Sequence, residues 1–293
     1  MTHAVSLHNH SEGSTSGYEY ARTCYGATPA RIIANAFKGG IDGLAITDNH
    51  SDDTNRRAFE SNKISPRYEV AHMEGDNALK ILDTENGKIM YLYNGIEFHN
   101  APGHVLFLCH PIETGGRTFG QEMQQLNLED ALQLGKERGS IIIPAHPAFV
   151  QGMGRENVEK FRSYFDAVEG HNAQVMLTGR SPFSLLETLF WRNRCNNESK
   201  KIAEELGIPW IANPDSVNGS PCTAYTILDN EPLGEETLDG IKHREYLRTQ
   251  IRNGDFQTVT GYNSLGSFFG RALFLGLFLE AVGKYTPIKP RKT

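Results

Sequence analysis

Two histidines near the start of the chain, His8 and His10, are spaced so that both could bind one metal ion. In an extended strand, residues i and i+2 point to the same face, so the His-x-His pattern presents two imidazoles side by side. Apolar residues before the pair and small polar residues after it place the histidines where a strand emerges into a loop. Taken alone, the pair is weak evidence, because an ordinary polar strand end has the same pattern.

The same arrangement recurs downstream, and the recurrence strengthens the hypothesis of a metal site. Short apolar runs that are typical of strands repeatedly end in histidines or carboxylates. Mixed imidazole and carboxylate ligands suit zinc, manganese or iron. The candidate residues at these later strand ends are Asp48, His50, Glu97, His146 and Asp215.

His104 and His110 are alternative ligands, and the connection after the strand with Glu97 decides between them. The turn signal at residues 100–103 favours a hairpin, which would place His104 beside Glu97. A crossover connection would instead bring His110 to the correct end. The other histidines outside the strand ends show no partner pattern, and we predict them to be surface or structural residues: His3, His72, His99 and His243.

Candidate substrate contacts are fewer and rest on weaker patterns. His171 follows another predicted strand end, and three arginines in predicted loops could clamp a phosphate group. These arginines are Arg22, Arg117 and Arg180. Solvated surface charges have the same pattern.

Strands that alternate with helices must position these side chains, and they predict an α/β fold with a mostly parallel sheet. Thr28 and Pro29 mark the start of a helix from about Ala30 to Lys38. A polar insertion from about Pro66 to Glu85 is predicted to be helical. In a β/α barrel, ligands at the carboxyl ends of strands lie on the face where active sites form.

Composition restricts the class of protein. The chain has 293 residues, of which 39% are hydrophobic and 22% charged, which is typical of a globular protein. A net charge of −6 argues against general nucleic-acid binding. The 4 cysteines form no C-x-x-C pair and no signal peptide precedes the first strand, so we expect a cytoplasmic protein.

The apolar stretch from Leu265 to Val282 is the one candidate for a membrane span. Because it contains Arg271 and Glu280, we predict instead a helix that packs on the domain or on a second copy of the chain. This gives a barrel domain at 1–260, a C-terminal helical extension at 261–293, no transmembrane span, and a possible homo-oligomer.

Read in order, these motifs resemble those of the PHP (polymerase and histidinol phosphatase) family over roughly residues 4–260. The motifs are His8-x-His10, Thr47-Asp48, Gly95-Ile-Glu97, His104-Val-Leu-Phe-Leu, Ala145-His146-Pro147 and Asp215. The resemblance implies a distorted (β/α)7 barrel that hydrolyses a small phosphate mono- or diester through a metal-bound hydroxide.

The resemblance also implies a ligand set. His8, His10, Glu97 and Asp215 would hold one metal ion, and Glu97 would bridge to a second ion. His104 and His146 would hold that second ion, and His50 would belong to a third. We take Asp48 and His50 as the candidate acid catalysts, and two or three divalent ions (zinc, manganese or iron) as the cofactors.

The sequence departs from the family pattern mainly around the third metal position. Asn49 stands where the family has histidine, and Val217 replaces the histidine two residues after Asp215. We therefore predict two well-occupied ions and a third that is weak or absent. Two alternatives stay open: an amidohydrolase-like enzyme acting on a non-phosphate substrate, and a non-catalytic barrel that keeps a metal site.

Overall fold

The computed structural model describes residues 2–11, 27–49, 66–75, 77–100, 102–111, 113–114, 117–149, 151–174, 184–216, 219–229 and 239–262. The helices in these ranges are α1 (Pro29–Gly39), α2 (Phe119–Met123), α3 (Leu128–Glu137), α4 (Gly154–Lys160), α5 (Ser184–Leu206) and α6 (Gly240–Asn253). The strands are β1 (His3–Ser6), β2 (Gly43–Ile46), β3 (Tyr68–His72), β4 (Ala78–Asp83), β5 (Ile89–Asn100), β6 (Gly103–Leu108), β7 (Glu113–Thr114), β8 (Arg117–Thr118), β9 (Ile141–Pro144), β10 (Val168–Asn172), β11 (Trp210–Asn213), β12 (Tyr225–Leu228) and β13 (Phe256–Val259).

A nine-stranded mixed sheet forms the centre of the fold. Strands β1, β2 and β5 run parallel to one another. Strand β6 returns antiparallel to β5, and β9 is antiparallel to β6, so β5 and β9 point the same way. The carboxyl ends of β1, β2, β5 and β9 therefore meet the start of β6 at one edge of the sheet.

Strands β10 and β11 form a separate parallel pair beside this sheet. The amide of Asp166 donates to the carbonyl of Ile142 at 2.9 Å, and the amide of His10 donates to that of Ser216 at 3.0 Å. These two hydrogen bonds link the β10–β11 pair to the nine-stranded sheet, but within the described ranges no continuous strand pairing joins them into a closed barrel. The expected (β/α)7 barrel is therefore corrected to a mixed α/β fold. The antiparallel β6 and a bulge between Glu169 and His171 interrupt regular parallel pairing.

Both faces of the central strands are buried, which explains their continuous apolar sequences. Along β6, Val105 and Phe107 pack into one apolar cluster with residues of α3 and α5. The alternate residues Leu106 and Leu108 pack into a second cluster with residues of β1 and β9. This alternation follows the two-residue period of an extended strand and fixes the direction of each side chain near the strand ends.

The helix predicted after Thr28 is confirmed as α1. Thr28 caps its first turn by accepting a hydrogen bond from the amide of Arg31, and Pro29 occupies the first position. Gly40 ends the helix with a φ of 73°. The helix packs its apolar face on β2, the strand that precedes Asp48.

The insertion from Pro66 to Glu85 is not helical, and this prediction was wrong. Strands β3 and β4 form an antiparallel pair there, and β4 adds to the edge of β5. The buried residues Leu79 and Ile81 alternate with the half-buried Lys80, which is a strand period. The polar composition of the segment hid this pattern, because β3 lies at the edge of the sheet and is mostly exposed.

Residues 263–293 lie outside the described ranges, and so does the C-terminal helix predicted from Leu265 to Val282. The division into a domain at 1–260 and an extension at 261–293 stays a prediction. None of the described helices combines the length and apolar character needed to cross a membrane.

Candidate metal centre

Side chains that could bind metal gather at the edge of the sheet where the parallel strands end. His8 and His10 follow β1, and Glu97 lies three residues before the end of β5. The sequence-predicted ligands that the structure brings together there are His8, His10, Glu97, His104, His146 and Asp215.

Four of these residues form what we call the first donor group: His8, His10, Glu97 and Asp215. The Nε2 atoms of His8 and His10 lie 3.2 Å apart. Oδ1 of Asp215 lies 3.5 Å from Nε2 of His8 and 3.2 Å from Nε2 of His10. Glu97 places Oε1 at 3.5 Å from the first imidazole nitrogen and Oε2 at 3.4 Å from the second.

Glu97 also faces a second donor group, which consists of Glu97, His104 and His146. Nδ1 of His104 lies 3.1 Å from Oε1 of Glu97, and Nε2 of His146 lies 3.4 Å from the same oxygen. One carboxylate thus stands between two sets of imidazoles, which is the position of a ligand that bridges two ions.

The hairpin of β5 and β6 explains why His104 belongs to this centre and His110 does not. In the register of the hairpin, His99 pairs with His104 and Asn100 pairs with Gly103. The hairpin on which the choice of His104 depended is therefore present. His110 lies beyond the far end of β6, where its ring stacks on Phe119 with centroids 4.2 Å apart.

Behind the donor groups, Glu169 and Asn172 of β10 contact three of the candidate ligands. Oε1 of Glu169 accepts from Nδ1 of His8 at 2.8 Å, and Oε2 accepts from the backbone amide of His146 at 2.8 Å. Asn172 Nδ2 donates to Glu169 Oε2 at 3.0 Å and to Asp215 Oδ2 at 2.9 Å. Carboxylate partners of this kind fix the ring orientation of metal-binding histidines.

Two of the candidate ligands have left-handed backbone conformations, which few residues other than glycine adopt. The φ angle is 31° at His146 and 44° at Asp215. Such conformations cost on the order of 1–3 kcal/mol each and are concentrated at functional sites. At these two strand ends, the side chains turn toward Glu97 and His8.

The electrostatics of the centre are those of a buried cluster in which opposite charges stabilise one another. Burial disfavours the charged form of His8, but the surrounding carboxylates, Asp215 first among them, raise the pKa of His8 well above its usual value. Burial would also raise the pKa of Glu97, yet His99 and His104 hold it well below its usual range. The carboxylate is therefore ionised and available as a ligand.

The donor atoms fit a transition metal. In a tetrahedral site with ligands about 2.0–2.1 Å from the ion, neighbouring ligand atoms lie about 3.3 Å apart. The separations of 3.2 and 3.5 Å between Asp215 Oδ1 and the two imidazole nitrogens are close to this value. Within the described part of the chain, Asp215 Oδ1 is buried and makes no well-aligned hydrogen bond, although it lies close to both imidazole nitrogens, as an atom that binds a metal ion would.

Comparison with solved structures shows the same fold in other proteins. PsfC from Pseudomonas syringae PB-5123 is 12% identical with a TM-score of 0.52, and the match covers 96% of this chain and 99% of PsfC. A two-domain protein from Bacteroides vulgatus containing a predicted PHP-like metal-dependent phosphoesterase is 14% identical with a TM-score of 0.50, and the match covers 89% of this chain and 65% of that protein. This chain has the PHP-like fold.

The lesion-specific endonuclease PfuEndoQ from Pyrococcus furiosus has 16% identity and a TM-score of 0.51, with coverage of 88% of this chain and 58% of the endonuclease. The chain with the PHP-like fold thus spans only part of this protein and of the Bacteroides protein. No protein-family model and no curated protein sequence matches the chain.

Asp48 follows β2 in this PHP-like fold, and among the described residues it bonds to Ser11 rather than to the donor groups. Its Oδ1 accepts from the backbone amide of Ser11 at 2.7 Å, and its Oδ2 accepts from the Ser11 hydroxyl at 2.5 Å. Asp48 therefore fixes the start of the loop after His10. His50, the second candidate catalyst, lies outside the described residues.

The candidate substrate contacts are more dispersed. Arg22 and Arg180 lie outside the described residues, and Arg117 is exposed on β8. His171 is buried, and its Nε2 donates to the carbonyl of Gly261 at 2.8 Å. Asn196 contacts the other ring nitrogen at 3.3 Å, so the ring is held between α5 and the segment after β13.

Sequence reasoning missed three residues near the donor groups of this PHP-like fold. His99 was predicted to be a surface or structural residue, but it contacts Glu97 and stacks on His104. The i, i+2 spacing of Glu97 and His99 on one strand was the available signal, and it is the spacing of His8 and His10. For Glu169 and Asn172, the strand end was recognised but no contact with the ligands could be deduced from spacing.

Proposed function

We propose that this protein is a PHP-type metal-dependent hydrolase that cleaves a small phosphate mono- or diester. The PHP-like fold and the His/Glu/Asp cluster at the carboxyl ends of its strands support a metal hydrolase. The proposed metal ligands are His8, His10, Glu97, His104, His146 and Asp215. The phosphate ester as substrate rests on the resemblance of the motifs to the PHP family.

The observation that carries the proposal is the position of Glu97 between two donor groups. Its Oε2 faces His10 at 3.4 Å while its Oε1 faces His104 at 3.1 Å. When bound, two ions would supply an activated water molecule and neutralise the charge on a phosphoryl oxygen.

The protein's own residues would orient these ligands before substrate binds. The hydrogen bond from Nδ1 of His8 to Glu169 leaves Nε2 of His8 as the atom that faces the first donor group. Asn172 holds Asp215 through Oδ2, so that Oδ1 is the oxygen that faces the imidazoles. This preorganisation removes the need to reorient side chains during the reaction.

Exposure indicates the side from which substrate would approach. The side chains of His8, His10 and Glu97 are 0% exposed, whereas those of His99 and His104 are 17% and 11% exposed. We infer that a phosphate ester would enter beside the β5–β6 hairpin. The buried ligands on the far side would exclude bulk water from the reacting group.

The remaining roles are proposed from the sequence. Asp48 and His50 are the candidate acids for the leaving group, and Arg22, Arg180 and His171 are candidate substrate contacts. Zinc, manganese or iron would be the cofactor, with two occupied positions and a third that is weak or absent. The net charge of −6 argues against general nucleic-acid binding.

A panel of substrates tests this proposal. Protein loaded with manganese, zinc or iron is assayed with p-nitrophenyl phosphate and bis-p-nitrophenyl phosphate, and in parallel with carboxylic ester, lactone and amide substrates. We expect phosphate ester hydrolysis that a chelator abolishes. Because loss of a partner behind the ligands typically costs 10–100-fold, Glu97→Gln should lower activity by at least about 100-fold.

His72→Ala is the matched control, since His72 is exposed on β3 and the substitution should leave activity unchanged. Turnover of only the non-phosphate substrates would contradict the phosphoesterase assignment in favour of an amidohydrolase-like enzyme. Bound metal without turnover of any substrate would indicate a non-catalytic metal site.

A further inference from the structure

His99 contacts the centre more closely than any of the sequence-predicted ligands contacts Glu97. Its Nε2 lies 2.6 Å from Oε2 of Glu97. Its ring lies parallel to that of His104, with centroids 3.7 Å apart and an angle of 9° between the planes. The ligand atoms of Glu97, His99 and His104 all lie within 4.8 Å of one another.

The backbone of the hairpin produces this arrangement. Glu97 and His99 are two residues apart on β5, so their side chains leave the same face of the strand. The register places His104 of β6 directly opposite His99. Three potential donors therefore arise from two paired strands, without any contribution from a loop.

The number of donors distinguishes a ligand from a hydrogen-bonding neighbour. The first donor group has four residues, which is the number that a tetrahedral zinc site requires. The second donor group has only Glu97, His104 and His146. With His99 it would have four as well, three of them imidazoles. His99 reaches Glu97 through Oε2, the oxygen that also faces His10, and its donor atom lies within 4.8 Å of those of Glu97 and His104.

We infer that His99 is a ligand of the second metal ion, in addition to Glu97, His104 and His146. This inference rests on the proposed metal-dependent function, and it goes beyond the ligand set that the resemblance implies, which has no donor at this position. The ion would be bound chiefly by the β5–β6 hairpin, at the more exposed side of the centre, where a substrate could reach it.

Two variants at the same position separate a ligand from a packing residue. His99→Phe keeps a flat ring that can stack on His104 but removes the nitrogen donor, whereas His99→Asp restores a donor without the ring. The metal-free protein is titrated with Co²⁺, and stoichiometry and visible absorption are measured together with elemental analysis after zinc loading. His72→Phe serves as the control for a changed histidine on an exposed strand.

We expect the unaltered protein and His72→Phe to bind two equivalents, and His99→Phe to bind one equivalent or to bind the second at least 10-fold more weakly. His99→Asp should recover most of the second equivalent, and the Co²⁺ spectrum of the second equivalent should change. Unchanged stoichiometry, affinity and spectrum in His99→Phe would overturn the assignment. Failure of His99→Asp to recover any of the second equivalent would overturn it as well.

The proposed function fails differently. If the unaltered protein binds no metal, or if His8→Ala/His10→Ala binds as much as the unaltered protein, then the metal centre itself is wrong. If both equivalents bind and phosphate esters are hydrolysed while His99→Phe behaves normally, only the role of His99 is wrong. Thermal unfolding of each metal-free variant confirms that the comparison is between folded proteins.

Discussion

Glu97 carries a negative charge in a position with no solvent exposure. An isolated carboxylate there would be strongly destabilising, because burial disfavours the charged form. The imidazoles of His99, His104 and His8 offset this cost and lower the pKa of Glu97. Each of these residues therefore depends on the others, and changes among them should not be additive.

Glu169 offers a test of how much the residues behind the ligands contribute. Both carboxylate oxygens of Glu169 accept hydrogen bonds, from His8, from the amide of His146 and from Asn172. Glu169→Gln replaces one of these oxygens by an NH2 group, which cannot accept. At least one N–H group would then face another donor. We expect metal affinity to fall by about 10–100-fold with the fold retained.

The measurement is a competition titration against a chromophoric chelator. Glu198→Gln, an exposed substitution on α5, is the matched control and should bind metal like the unaltered protein. Equal affinity in Glu169→Gln would show that this network does not support the ligands.

At the residue scale, the sequence predicted most of the centre, because strand ends and i, i+2 spacing are local features. His8, His10, Glu97 and Asp215 were all found by one rule, and the structure brings them together. The same rule applied to Glu97 and His99 would have found His99 as well. Glu169 could not be found in this way, since its contact with His8 spans 161 positions of the chain.

Among the elements, the β5–β6 hairpin has the greatest effect on the centre, and its turn allows little variation. A Cβ atom added at Gly103 would lie 2.4 Å from the backbone nitrogen of Met153. Because that contact is with backbone, Gly103→Ala must shift either the hairpin or the segment before α4. We expect a loss of about 1–3 kcal/mol in the free energy of unfolding, and weaker binding at the second donor group because His104 is the next residue.

Urea unfolding and metal stoichiometry, measured on the same preparations, test this prediction. Gly87→Ala is the control, since Gly87 lies in the β4–β5 turn with a φ of 72° and nothing within 4 Å of an added Cβ. Its cost should be about 1–2 kcal/mol from backbone conformation alone, with both metal equivalents retained. Normal stability and stoichiometry in Gly103→Ala would contradict the role assigned to the hairpin.

The elements also show where sequence patterns were insufficient. Helix α1 was predicted correctly because Thr28, Pro29 and the spacing of Ile32, Ile33 and Ala36 all indicate the same structure. Strands β3 and β4 were missed because a short, half-exposed edge pair contains too few apolar residues to show its period. Their burial depends on pairing with β5, which is information from the tertiary structure.

At the scale of the whole molecule, a second histidine pair lies at the amino end of β1, opposite the donor groups, where the sheet packs against α6. His3 at the start of β1 and His243 of α6 are both buried, and Nε2 of His243 bonds with the Tyr93 hydroxyl at 2.8 Å. Burial lowers the pKa of His3 to about 3, and His243 adds to this effect. Burial lowers the pKa of His243 to about 4.

These pKa values predict how stability depends on pH. The unfolded chain binds protons on both histidines below about pH 6.5, whereas the folded protein does not until about pH 4 for His243 and about pH 3 for His3. Their contribution is complete at neutral pH and is lost as the pH falls through this window. Each histidine should add about 1.4 kcal/mol per pH unit to the slope there.

The variants His3→Gln and His243→Gln should each flatten the dependence of unfolding free energy on pH between about 6 and 4.5 by up to one proton. Urea unfolding at several pH values measures this slope, which is informative even if a variant is less stable overall. A slope identical to that of the unaltered protein would show that the histidine does not titrate in this way. His72→Gln controls for the loss of a histidine from the exposed surface.

The architecture of the whole molecule was predicted only in part. Alternating strands and helices indicated the α/β class and the edge at which the ligands meet. The turn at 100–103 was recognised from the sequence, but its consequence for the fold was not predicted. It places β6 antiparallel between β5 and β9, whereas a regular barrel has only parallel strands. The order of strands in a sheet depends on pairing between distant segments such as β1 and β12, which local patterns do not encode.

The left-handed backbone at His146 and Asp215 has a consequence for laboratory evolution. At φ angles of 31° and 44°, glycine would be less strained than either residue, and asparagine would tolerate position 215 well. A library screened only for heat resistance should therefore accumulate Asp215→Asn, which keeps the shape of the buried side chain, and each selected clone would have lost a charged donor. Selection for robustness and selection for chemistry would act in opposite directions at this codon, which is a trade-off seen where active sites retain strain.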